Sequence, residues 1–407
     1  MFGLGPAPDL AYKHSLAVLI IWGDQSVTEH TKRPEQHGGA DWVQQVWLWP
    51  LEATRLALHS YAQWFADPKP AASRAPDQEP LAWTTPNAVV LQLPSMRLRE
   101  FSRRDSGQKP VVVCAPYALH GALIADFAPG HSLVAALQKD GVNRIYVPDW
   151  CSATPGMRYL SIDNYLADLN VAIDEIGAPV DLVGLCQGGW LSLVYAARFP
   201  GKVRRLVLAG APVDISTPSE LSKMVAALPH QAFEQMVQQG DGLVSGEHML
   251  RFWNIPFSQR DVEAVLQRNL GDGSDEARML LDRFARWDRA TLDLPGTYYL
   301  EVTDQVFRQN LIAKGRFVAL GRRIDLTEVR VPVFLLAGAD DIVVPRDQAF
   351  ATARLLGTRL AWLEQACEPC GHLSLFMGRS TLSRSWRRIA RWLQAEIGDV
   401  AGAKIRA

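Results

Sequence analysis

Gly184-Leu-Cys186-Gln-Gly188 places a thiol between two glycines, after the apolar run Val180–Leu185 and before a helical run. A strand that feeds a helix through so tight a turn thrusts the middle side chain out of the backbone, so residues two places away on either side must lack bulk. The helix that follows turns its positive end toward the sulfur, which suits a nucleophilic cysteine. Thiol acyl transfer also needs a base and an acid to orient it. His372, in Cys367-Glu-Pro-Cys-Gly-His372-Leu, follows the strand-like run Leu360–Ala366 and is the only histidine of the final third. In Gly338-Ala-Asp340-Asp341-Ile-Val-Val-Pro345, the spacing from glycine to proline selects Asp341; Asp340 competes, and Asp214 is an outside candidate.

An oxyanion hole needs two backbone donors. Gln187 supplies the amide after the nucleophile, and the loop Pro116-Tyr-Ala118-Leu-His120-Gly after Val111–Ala115 supplies the other, at Ala118. His120 and Trp190 are the candidate substrate contacts, with a structural role for His120 equally open. Cys367-x-x-Cys370 resembles a metal or redox pair, but no further ligands at zinc spacing accompany it, so neither metal nor cofactor is expected.

The elements that must hold these residues have the pattern of a mostly parallel sheet flanked by helices. Strands are expected at Val111–Ala115, Arg144–Pro148, Val180–Leu185, Val203–Ala209, Val331–Ala337 and Leu360–Ala366. Helices are expected at His131–Lys139, Ile162–Ile176 and Gly188–Phe199, with a closing helix over Leu382–Ile397. Residues 215–327 interrupt this rhythm with helix-like sequence, as a lid insertion would. Residues 1–86 read as a helical extension followed by a proline-rich linker, leaving 87–407 as the catalytic domain.

Across 407 residues, 48% apolar composition provides ample core material, and 42 basic against 43 acidic side chains give a net charge of −1. That balance argues against nucleic acid or an anionic membrane surface as partner. Ser15–Trp22 is too short to span a bilayer and lacks a cleavage pattern. Five cysteines without framework spacing suit a reducing compartment, hence a cytoplasmic location.

Taken together, these motifs resemble the polyhydroxyalkanoate synthases and intracellular depolymerases over residues 110–395, a resemblance that implies the α/β-hydrolase fold. Gly184-Leu-Cys-Gln-Gly-Gly189, Asp126-Phe-Ala-Pro-Gly-His-Ser-Leu-Val134 with Gly141 and Asp149-Trp150, and Gly315–Leu326 are similar to the synthases. Ala115-Pro-x-x-x-His120-x-Ala122, Asp293-Leu-Pro-Gly-Thr-Tyr-Tyr-Leu300 with Val306-Phe307, Asp340-Asp-Ile342 and Gly371-His-x-x-x-Phe376-x-Gly-Arg379 look like the depolymerases. Ile342 and Arg346 depart from the synthase pattern of histidine after the aspartate and tryptophan after the proline. The double glycine Gly188-Gly189 departs from the depolymerases. Because depolymerase-like pieces surround the triad, the resemblance implies hydrolysis of intracellular poly(3-hydroxyalkanoate) as the leading expectation, with polymerisation of 3-hydroxyacyl-CoA as the alternative. The implied partners are the polyester or a hydroxyacyl-CoA, with a homodimer or granule association open. A non-catalytic granule-associated protein is the expectation from another class.

Overall fold

The computed structural model describes residues 81–102, 107–253 and 274–396, all within a compact unit that begins at Leu51. The expected N-terminal extension and linker lie outside the described residues, apart from 81–86.

Eight strands form the central sheet: β1 (Ala88–Gln92), β2 (Met96–Glu100), β3 (Val111–Cys114), β4 (Ile145–Trp150), β5 (Val180–Leu185), β6 (Val203–Ala209), β7 (Val333–Gly338) and β8 (Leu363–Glu368). Their spatial order is β1-β2-β4-β3-β5-β6-β7-β8. β2 is antiparallel to both β1 and β4, and every other pairing is parallel. The β1–β2 hairpin has no counterpart among the expected strands. On β2 the inward residues Met96 and Leu98 are buried, but they alternate with Arg97 and Arg99, which makes this strand read as a charged loop. Arg99 finds its partner on β4, where Asp149 lies 2.7 Å away.

Alternation along the parallel strands separates two cores. Val112, Leu182, Leu206 and Leu335 face one side, packed with helix α2 (Ile162–Ile176) and helix α3 (Gln187–Arg198). Val113, Val183, Val207 and Phe334 face the other side, where helix α1 (Leu133–Lys139) and the C-terminal helix cover them. Sequence sets the helix starts: Ser132 caps α1 by accepting from the Ala135 amide, and Ser161 and Asn164 form a reciprocal capping box on α2.

Between β6 and β7 the chain leaves the sheet, as the interrupted periodicity requires. The described part of this insertion holds α4 (Glu220–Ala227), α5 (His230–Gln239), α6 (Gly246–Trp253), α7 (Asp275–Arg289) and α8 (Gly296–Glu301). A π-helical stretch over Val302–Arg308 continues α8, and Leu243–Val244 pairs with Leu294–Pro295 to tie the insertion together. After β7 comes α9 (Arg346–Ala351). The closing helix differs from the expected Leu382–Ile397: a π-helical stretch over Leu382–Trp386 runs into α10 (Arg387–Gln394). Ile389, Trp392 and Leu393 bury its inner face.

Candidate active site

Cys186 stands between β5 and α3 with φ 49° and ψ −122°, a left-handed conformation that costs a non-glycine residue on the order of 1–3 kcal/mol. The surrounding backbone holds it there. Its N–H donates to the Ala209 carbonyl at 2.9 Å, and its own carbonyl accepts from the Gly189 N–H at 2.8 Å. A methyl group on Gly188 would enter the carbonyl oxygens of Cys114 and Ala115, the latter at 2.8 Å, and one on Gly184 would lie 2.5 Å from the Gly189 Cα. The glycines therefore let α3 press against β3 and β5, which fixes the turn that presents the sulfur.

The expected base and acid come from the ends of the last two strands. His372, buried after β8, pairs through Nδ1 with Asp341 Oδ2 at 2.7 Å. The other carboxylate oxygen, Oδ1, accepts from the amides of Val343 and Val344 at 2.9 and 2.8 Å. Three hydrogen bonds on its two oxygens thus hold Asp341 in one orientation. The competing carboxylates have other surroundings: Asp340 is exposed, while Asp214 is bound to Arg354 at 2.5 Å and to Ser216 and Asn310. Burial works against charge on Asp214, yet Ser216, Arg354 and Asn310 outweigh it and hold its carboxyl at about 2.

Burial also disfavours a charged His372, but Asp341 foremost, and then the neighbouring Cys186, overcome it and raise the imidazole well above its ordinary value of 6.5. The folded chain therefore holds this proton more tightly than the unfolded chain. The resulting stabilisation is fully present below pH 6.5 and fades as pH rises through the raised folded value. Asp341→Asn is accordingly expected to lower the Tm more at pH 6 than at pH 9. A Tm deficit that stays constant across that range would contradict the pairing.

Cys186 and His372 open into a cavity of about 120 Å³, which Gln187, Ala118 and His120 also line. Gln187 and Ala118, the expected oxyanion donors, both line this cavity. The Ala118 loop is held from several directions. Trp150 Nε1 donates to the Ala115 carbonyl at 3.1 Å, and the Tyr165 hydroxyl donates to that of Tyr117 at 2.9 Å. The Leu292 amide donates to the Leu119 carbonyl at 2.9 Å, and His120 makes an isolated bridge to Thr291.

Trp190 is a correction. It is fully buried, packs against Phe317 at 6.4 Å between ring centroids, and does not line the cavity. Four residues beyond Cys186, one helical turn carries its side chain into the core behind the elbow. Much of the apolar wall comes instead from the insertion, through Leu221, Val225, Met249, Trp287, Leu294, Tyr298, Tyr299, Val302 and Phe307, with Thr303 among them, and Leu119, Ile124, Val343, Val344 and Leu373 complete it. Tyr298, Tyr299 and Phe307 belong to the quoted Asp293–Leu300 and Val306-Phe307 pieces, whereas Trp287 carries no motif. Cys367 is exposed and Cys370 lies 3.7 Å from the Thr381 hydroxyl. Among the described residues, no group of three or more His, Cys, Asp or Glu side chains is placed to hold a metal ion.

The family model described as alpha/beta hydrolase fold matches residues 119–378. A poly(3-hydroxyalkanoate) polymerase subunit PhaC from Synechocystis is 30% identical over 76% of this chain and 84% of its own length. Its counterpart from Allochromatium vinosum is 26% identical over 76% of this chain and 88% of its own. That from Thiocystis violacea is 26% identical over 66% of this chain and 76% of its own. With the sheet order, the elbow and these relatives in agreement, the chain is an enzyme of the poly(3-hydroxyalkanoate) polymerase family, built on the α/β-hydrolase fold.

Proposed function

We propose that this chain transfers 3-hydroxyacyl groups from a CoA thioester to the hydroxyl end of a growing polyester, with Cys186 as the acyl carrier. The observation that carries this reading is the thiol and its His372–Asp341 pair opening into a small, largely apolar cavity, in a chain whose curated relatives are named polymerases. The hydrolytic expectation gives way on that ground: the depolymerase-like pieces around the triad supply cavity walls, while the relatives favour the polymerase alternative. Such walls suit a reaction from which water must be kept.

In this reading His372 holds the proton taken from the thiol as an imidazolium, and the sulfur attacks the thioester carbonyl carbon as a thiolate. The oxyanion is met by the amides of Gln187 and Ala118. Collapse breaks the bond to the CoA sulfur, which leaves with the proton from His372, and the acyl group stays on Cys186 as a thioester. A chain-end hydroxyl then gives its proton to His372 and attacks the same carbonyl. An ester forms, the Cys186 sulfur leaves, and it regains the proton. Asp341 holds the imidazole in orientation and balances its positive charge throughout.

All five cysteines are unpaired, which supports a reducing compartment. No helix among the described residues is long and apolar enough to cross a membrane. We place the reaction in the cytoplasm, at the polyester itself, and the relatives' designation as subunits supports work within an assembly. Incubating the purified protein with 3-hydroxybutyryl-CoA is expected to release CoA and yield polyester without free acid. Free 3-hydroxybutyrate in step with CoA, and no polymer, would return the chain to the hydrolases.

A further inference from the structure

His120 has a ring that the protein itself leaves unused. It is 7% exposed, it lines the same cavity as Cys186 and His372, and the Trp287 ring lies across it with centroids 4.2 Å apart at 34°. Neither ring nitrogen has a hydrogen-bond partner of ordinary geometry. The nearest polar neighbours are Asp288, whose Oδ1 is 3.6 Å from Nε2, and the backbone of Ala290. The bridge from His120 to Thr291 is a backbone pairing and makes no use of the imidazole.

A polar ring buried without a partner carries a desolvation cost that persists only if something compensates. Burial, opposed only weakly by the Ala290 backbone, holds this imidazole down at about 4. At neutral pH it is therefore uncharged, with one nitrogen that donates and one that accepts. A hydroxyl group, itself donor and acceptor, is the ligand complementary to that pair. Of the other hydroxyls lining the cavity, Tyr298 donates to the Tyr117 carbonyl and Tyr299 to the Met236 sulfur, while Ile124, Met249, Leu294 and Val302 are apolar.

We infer that His120 reads the 3-hydroxyl of the acyl group carried on Cys186, selecting hydroxyacyl over plain acyl substrates. The inference rests on the proposed function and adds to it the residue that sets its selectivity. Ala118 and His120 lie on one loop and line the same cavity as Cys186. A plain acyl chain would leave the ring unsatisfied, which is how a site built for a hydroxyl rejects the analogue that lacks it.

The test compares single-turnover acylation of Cys186 by 3-hydroxybutyryl-CoA and by butyryl-CoA, read as CoA released. The native chain is expected to prefer the hydroxylated substrate. In His120→Phe that preference should collapse by about tenfold to a hundredfold, with most of the loss in kcat/KM for the hydroxylated substrate. His120→Gln, which keeps a donor and an acceptor, should restore part of it and guards against a variant that fails to fold. Equal slowing with both substrates would assign the ring a packing role and overturn the inference, as would an unchanged preference. If the native chain is acylated by neither CoA ester, the proposed function fails. The p-nitrophenyl esters of 3-hydroxybutyrate and butyrate then pose the selectivity question separately: collapse of the preference in His120→Phe supports the inference and persistence overturns it.

Discussion

Cys186→Ala is expected to lower turnover of 3-hydroxybutyryl-CoA by roughly 10⁴- to 10⁶-fold, the loss typical of removing a nucleophile that works as a unit with its base. The size follows from the arrangement. His372 is held by Asp341 and interacts with the Cys186 sulfur, and a backbone amide cannot take the sulfur's place in a covalent intermediate. Binding of the acyl group should survive, because most of the apolar lining lies outside the elbow, in the insertion and the strand-end loops. The same variant should lower the pKa of His372, since the neighbouring sulfur helps to hold the ring protonated. Turnover and an NMR titration of His372 together test both statements. Residual activity within about tenfold of the native chain would remove Cys186 from the mechanism and revive a non-catalytic role for this fold.

Gly188→Ala is the second large effect, and it acts on the turn instead of on the sulfur. The added methyl group would run into the backbone carbonyls of Cys114 and Ala115. Backbone cannot rotate away as a side chain can, so α3 must back off from β3. Overpacking of this kind costs about 3 kcal/mol. It also moves the Gln187 amide and the Cys186 sulfur relative to His372, and a displacement near 1 Å in such a site costs on the order of a hundredfold in rate. Thermal denaturation and acylation rate should fall together. A native Tm with native acylation would show that the close contact at the elbow is dispensable.

Much of this site was legible because a few residues face constraints that sequence records directly. The elbow glycines are demanded by contacts between backbones, and Asp341 is picked out by a spacing that leaves its Oδ1 facing the amides of Val343 and Val344. Trp190 was misplaced because adjacency to a motif says nothing of direction: one turn into α3, its indole points into the core. Trp287 was missed because the face that an insertion helix turns toward the cavity depends on how the whole insertion docks. The choice between hydrolysis and polymerisation was beyond the motifs for a related reason. Both reactions share the acyl-enzyme, and they differ only in which acceptor reaches it.

The attachment of the Ala118 loop to residues 291–293 bears on timing. Leu119 accepts from Leu292, His120 bridges to Thr291, and the Tyr117 hydroxyl reaches the Asp293 carbonyl at 3.4 Å. The segment that borders the cavity is therefore stitched to the strand-end loop proposed to meet the oxyanion. Drawing that segment away would pull the loop with it, so a site opened to bulk water would at that moment be a poor catalyst. Leakage to hydrolysis would be limited by the same few hydrogen bonds that make the transfer fast.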